Sequence, residues 1–99
     1  MIDLSPESLQ TVTAILQKEV PNCEVRVFGS RVTGKATKYS DLDLALVSDK
    51  PLDWRLLETL KDSFSESNLP ITVDLLDWHS ISSEFKAVIE KNYEVISLS

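Results

Sequence analysis

The 99-residue chain is predicted to be one α/β domain spanning residues 1–99, a small mixed β-sheet with helices packed mainly on one face. Three features predict it: short β-branched runs suited to strands, stretches of helical apolar spacing between them, and Gly or Pro punctuation at the joins. This length leaves room for one modest core and none for a second substrate-binding unit.

Ser5-Pro6-Glu7 opens the first helix, with a capping hydroxyl, a proline in the first turn and an early acid. Leu9, Val12, Ile15 and Leu16 then recur at helical spacing until Pro21 interrupts. Val25, Val27 and Phe28 end a short strand-like run, and Gly29-Ser30 follows as a strand-to-helix turn. The run from Asp41 to Val47 is long enough for a buried strand. Pro51 and Asp53 introduce a helix in which Leu56, Leu57, Leu60 and Phe64 form one apolar stripe. Ile71-Thr72-Val73-Asp74-Leu75-Leu76 reads as another strand. A helix is expected from about Ser80, with Phe85, Val88 and Ile89 facing inward, and Tyr93-Glu94-Val95-Ile96 adds a final short strand. No repeat, linker or low-complexity segment is visible.

The chemistry concentrates at Gly29-Ser30 and, ten residues on, Asp41-Leu42-Asp43. Glycine lets backbone approach a phosphate closely, while the serine hydroxyl and the first amides of a following helix can donate to its oxygens. Arg31, Lys35 and Lys38 follow without an intervening acid in a chain of net charge −6, so a local cationic loop suits an anionic ligand. Residues two apart on a strand share a face, so Asp41 and Asp43 project together. Held that close without a cation, one carboxylate would tend to keep its proton; a divalent ion lets both ionise. Magnesium suits such a pair, since it commonly takes one or two carboxylates plus substrate phosphates. Asp74 joins them if its strand neighbours theirs, and an aspartate buried among Val73, Leu75 and Leu76 would need a partner or purpose.

Gly29-Ser30-Arg31, the ten-residue spacer and Asp41-Leu42-Asp43 resemble the signature of the nucleotidyltransferase superfamily typified by DNA polymerase beta. The fuller run from Gly29 to Leu44 is similar to its smallest branch, the minimal nucleotidyltransferases (MNT), and the likeness spans nearly the whole chain. The resemblance implies that Gly29 and Ser30 hold the triphosphate of ATP and that Asp41 and Asp43 bind Mg2+, two ions in all. Asp74 matches the third acid, which acts beside the acceptor hydroxyl as base or metal ligand. Arg31 lies where MNT members often carry an arginine near the phosphates, implying a part in nucleotide binding. The branch also implies a partner, a small helical HEPN toxin, and an antitoxin activity that attaches AMP to a tyrosine of that toxin. Two rivals are a small-molecule enzyme of the aminoglycoside-modifying type and a module that binds nucleotide or partner without turnover; homo- or hetero-oligomers are compatible with all three.

Composition narrows the rest. A sequence pI near 4.6 opposes a broad nucleic-acid groove, because such affinity comes from Lys and Arg against phosphates. Cys23 is the only cysteine and no charged-then-apolar leader opens the chain, so neither a disulfide framework nor secretion is expected and the cytoplasm is the predicted location. No apolar run approaches the roughly 20 residues that span a bilayer. The chain lacks a P-loop motif. His79 is read as a loop or helix-entry residue, Asp77 as a turn or cap acid on the face opposite Asp74, Trp54 and Trp78 as core, and Cys23 as unreactive.

Overall fold

The computed structural model describes residues 2–98 and runs α1 (Pro6–Glu19), β1 (Glu24–Phe28), α2 (Ser30–Thr33), β2 (Leu42–Val47), α3 (Trp54–Ser65), β3 (Val73–Asp77), a 3-10 turn (Trp78–Ser80), α4 (Ser83–Lys91) and β4 (Glu94–Ile96). Helix starts follow capping chemistry. Ser5 accepts the amide of Ser8 at 3.1 Å, Asp53 that of Arg55 at 2.9 Å, and Ser82 that of Phe85 at 3.1 Å. Each such cap contributes about 1 kcal/mol.

The strands form one mixed sheet in the order β3-β2-β1-β4. β1 is antiparallel to both β2 and β4, whereas β2 and β3 are parallel. A parallel pair needs a crossover, which α3 supplies. Strand alternation sorts the side chains. Val25, Val27, Leu42, Leu44 and Leu46 are fully buried in one cluster with Val12 and Leu16 of α1 and Leu60 and Phe64 of α3. The opposite face carries Arg26, Phe28, Asp43 and Asp74.

That second face is partly covered from the C-terminal third of the chain. The Phe85 ring of α4 stands edge-on to Phe28, with centroids 5.8 Å apart. The Arg26 guanidinium lies 4.8 Å from the Trp78 ring and 4.7 Å from that of Tyr93, tying the 3-10 turn and the approach to β4 to β1. Of the three residues expected to face inward on α4, only Ile89 is buried; Val88 is 61% exposed and Phe85 37%. Ile89 takes the inward position, and Val88, about 100° around the helix, turns outward.

Other expectations are corrected or met in the same region. α4 starts at Ser83 because Asp77 ends β3 and caps the intervening 3-10 turn, accepting the His79 amide at 3.1 Å. Buried Asp77 also accepts the Leu52 amide at 2.9 Å, which fixes the entry to α3. His79 is exposed, its Nε2 2.6 Å from the Ser48 carbonyl oxygen. Trp54 is not core: as the first residue of α3 it is 68% exposed, with Arg55 over its ring. Burial, then the charge of Asp77, pushes the Cys23 thiol up, away from thiolate reactivity. Among the described residues no helix is long and apolar enough to cross a membrane.

Candidate active site

The site forms where β1 and β2 meet α2. Phe28, the last residue of β1, pairs with Asp43 of β2, so the turn that follows β1 is delivered beside that carboxylate. Gly29 has φ 80° and ψ −157°, a region open essentially to glycine alone. A Cβ there would collide with Oδ2 of Asp43. The missing side chain is therefore what allows backbone and carboxylate to lie together. Ser30 begins α2, a single turn of four residues that ends at Gly34 in the left-handed conformation.

Asp74 joins from the other side of β2. It is the register partner of Asp43 across the parallel β2–β3 pair, so the two acids share a face. Asp74 is solvent-exposed, unlike the buried aspartate expected, because β3 is an edge strand and Asp74 points to its open face. Asp41 is exposed as well and lies one residue before β2 rather than inside it. It still acts on Asp43 through charge. The Asp43 carboxyl is raised above its ordinary value first by burial, then by Asp74, then by Asp41.

This donor set fits a magnesium ion. Among the described residues no three His, Cys, Asp or Glu side chains come together so as to hold a metal ion. Magnesium does not ask for three: it keeps open positions for water and substrate phosphate while one or two carboxylates hold it. Asp43 feels the charge of Asp74 and Asp41 and sits beside the Gly29-Ser30 turn.

Arg31 is placed differently from a phosphate ligand. Its side chain is buried, with Nη1 donating to the Asp3 carbonyl at 2.9 Å and Nη2 to the Ser40 carbonyl at 2.7 Å and, more weakly, to that of Lys38 at 3.5 Å. The Asp3 amide donates back to the Arg31 carbonyl at 2.7 Å. Nε is buried without a hydrogen-bond partner among the described residues. The guanidinium thus ties the N-terminal segment to the loop that presents Asp41, while Lys35 and Lys38 of that loop are exposed. These contacts to several carbonyls use the planar fork of Arg31 and not merely its charge. Arg31→Lys and Arg31→Met should each lose roughly 1–3 kcal/mol of stability. Both should also raise the magnesium concentration for half-maximal rate several-fold; a variant set in which Lys rescues and only the ATP KM moves would instead indicate phosphate contact.

Reading the chain alone missed that Phe28 and Phe85 line a cavity with Asp43 and Asp74. Phe28 carried a signal, since it immediately precedes the Gly29-Ser30 turn; Phe85 carried none, because only the fold brings α4 over β1.

Comparison with known proteins decides the family. The polymerase beta nucleotidyltransferase model matches residues 10–98. The chain belongs to the polymerase beta nucleotidyltransferase family. Within it, the chain is 54% identical over 95 residues to the "Probable protein adenylyltransferase MntA" of Haemophilus influenzae, covering 96% of this chain and 83% of that protein. Among solved nucleotidyltransferase-like structures, a toxin-antitoxin complex with AMP-PNP matches with a TM-score of 0.69 at 22% identity, covering 92% of this chain and 73% of that one. A Shewanella oneidensis MNT antitoxin complex with a tri-AMPylated HEPN toxin matches with a TM-score of 0.62 at 20% identity, covering 94% and 71%. At those identities the structural likeness carries the fold, which is the mixed-sheet α/β fold described above.

Proposed function

We propose that this chain is a magnesium-dependent nucleotidyltransferase that moves AMP from ATP to a tyrosine hydroxyl of a HEPN-type toxin, acting in the cytoplasm as its antitoxin. The reading is carried by one observation: a chain 54% identical to a protein adenylyltransferase brings its glycine-serine turn and an aspartate pair to one end of the sheet.

In this reading Gly29 admits the triphosphate against the backbone, and the Ser30 hydroxyl donates to a phosphate oxygen. Asp41, Asp43 and Asp74 would hold magnesium, which when bound neutralises charge on the phosphates and on the attacking and leaving oxygens. The acceptor oxygen forms a bond to the α-phosphorus as the bond to pyrophosphate breaks, and Asp74, exposed at the sheet edge, receives the hydroxyl proton. Arg31 keeps the Asp41 loop in register. The protein's work is positioning and charge neutralisation, with no covalent intermediate on the chain.

The test is intact mass spectrometry of a HEPN-type toxin after incubation with the chain, ATP and magnesium. The expected result is one or more AMP additions on tyrosine that require the chain. A stable complex whose toxin stays unmodified would overturn the transferase reading and favour a binding module.

A further inference from the structure

We propose that the chain carries a modification site of its own: Tyr39 accepts AMP from ATP held by a second copy of the chain. This rests on the transfer reading above, which supplies the nucleotide and the acids. The chain has two tyrosines, Tyr39 and Tyr93, and they are placed differently. Tyr39 is 79% exposed and stands two residues before Asp41, on the loop that leads into β2. Tyr93 is partly covered, with the Arg26 guanidinium 4.7 Å from its ring and that arginine paired in turn with Glu24. Tyr39 is therefore the phenol that another molecule can reach.

The loop holds this tyrosine outward. Nη2 of Arg31 donates to the carbonyls of both its neighbours, Ser40 at 2.7 Å and Lys38 at 3.5 Å. The Ser40 amide donates to the Thr37 carbonyl at 3.2 Å, and the Ser40 hydroxyl accepts the Thr37 amide at 2.8 Å, which closes a turn around Tyr39. With the backbone pinned on either side, the phenol faces solvent and not its own acids, so the nucleotide comes from another copy. Charge favours that meeting. The segment from Gly29 to Ser40 contains no acid, and its Lys35 and Lys38 are exposed, in a chain of net charge −6. Another copy presents Asp41, Asp43 and Asp74 and, when loaded, a triphosphate. The cationic loop is thus the part of an acidic surface that is drawn to such a site, and it carries Tyr39 with it. The loop's other hydroxyls are engaged, since those of Thr37 and Ser40 lie 3.3 Å apart in one hydrogen bond. In the step itself the Tyr39 oxygen bonds to the α-phosphorus, the bond from that phosphorus to pyrophosphate breaks, pyrophosphate departs with the electron pair, and the phenolic proton passes to Asp74 of the donor copy. The product is a phosphodiester anion on the residue next to Lys38, whose ammonium already lies 5.7 Å from the ring centroid.

The test follows self-labelling of the full chain by magnesium and ATP labelled at the α-phosphate, with no other protein present, and locates the adduct by peptide mass spectrometry. AMP on Tyr39 is expected. Tyr39→Phe, which removes only the attacking oxygen, should lower the label at least tenfold, and Tyr93→Phe should leave it within about twofold of wild type. The route between copies is read by mixing Asp43→Asn, which keeps Tyr39 but lacks the central acid, with Tyr39→Phe, which keeps the acids but lacks the phenol. Label on the Asp43→Asn chain of that mixture is expected; label on wild type but not in the mixture would overturn transfer between copies. Label on Tyr93 or on a serine in place of Tyr39, or no self-labelling, would overturn the site. A HEPN-type toxin offered to the same chains reports the transferase reading separately, and Tyr39→Phe should label it as wild type does. Labelled toxin with an unlabelled chain would bring down the Tyr39 site alone, and no label on either protein would bring down both readings.

Discussion

Asp43→Asn should abolish AMP transfer, by about a thousandfold or more, and at the same time make the metal-free protein harder to unfold. The two effects have one cause. Asp43 is the central acid, raised by its burial and by Asp74 and Asp41, so keeping it ionised at neutral pH works against the fold when no cation is present. A carboxyl whose folded-state value is raised gives its full contribution to stability below its ordinary value of 3.8 and loses it as pH climbs through the raised one. The Tm advantage of the Asn variant over wild type should therefore be small in acid and grow from about pH 4 towards neutrality, to the order of a few degrees. Magnesium should reverse the ranking. At ten times its dissociation constant it stabilises wild type by about 1.4 kcal/mol, or roughly 5–10 °C in Tm, and should leave the variant almost unmoved. Thermal melts across pH, with and without magnesium, check each part.

Gly29→Ala should be the most damaging single-methyl change in the chain. Two penalties meet at this position. The backbone conformation is one that a side chain adopts only at about 1–3 kcal/mol of strain, and the new Cβ would strike the Asp43 carboxylate. The carboxylate is the movable partner, so relief comes by displacing the acid proposed to be catalytic. Transfer should fall at least a hundredfold and Tm by roughly 5–20 °C. Gly34 supplies the control, since it also has positive φ, at 82°, but a Cβ there meets nothing within 4 Å. Gly34→Ala should lower Tm by roughly 4–16 °C, from about 1–2 kcal/mol of left-handed strain, with activity within about threefold of wild type at low temperature. Equal losses of activity in both variants would mean that backbone strain, and not the approach to Asp43, sets the requirement for glycine.

The features legible from the residues are those decided by near neighbours in the chain. Ser5 and Asp53 announce helix starts through capping chemistry, and strand alternation sends Leu42 and Leu44 inward and Asp43 outward. The glycine-serine turn was readable for the same reason. That Asp74 faces Asp43 was legible only conditionally, because it depends on β3 lying next to β2, a matter of strand order. Its exposure was not foreseen, since no local pattern tells an edge strand from a central one. Arg31 was harder still: its guanidinium is held by the carbonyl of Asp3, 28 residues away. Phe85 meets Phe28 through helix placement alone, and an amphipathic stripe on nine residues does not say which part of a sheet it will overlie.

The central claim is that these acids and this turn transfer a nucleotidyl group. The most direct measurement incubates the chain and the HEPN-type toxin proposed as its partner with magnesium and ATP labelled at the α-phosphate or, in parallel, at the γ-phosphate, with the Asp43→Asn variant alongside. The account predicts that the α label alone reaches the partner and that the variant transfers neither. Transfer of the γ label, or α-label transfer undiminished in the variant, would contradict it.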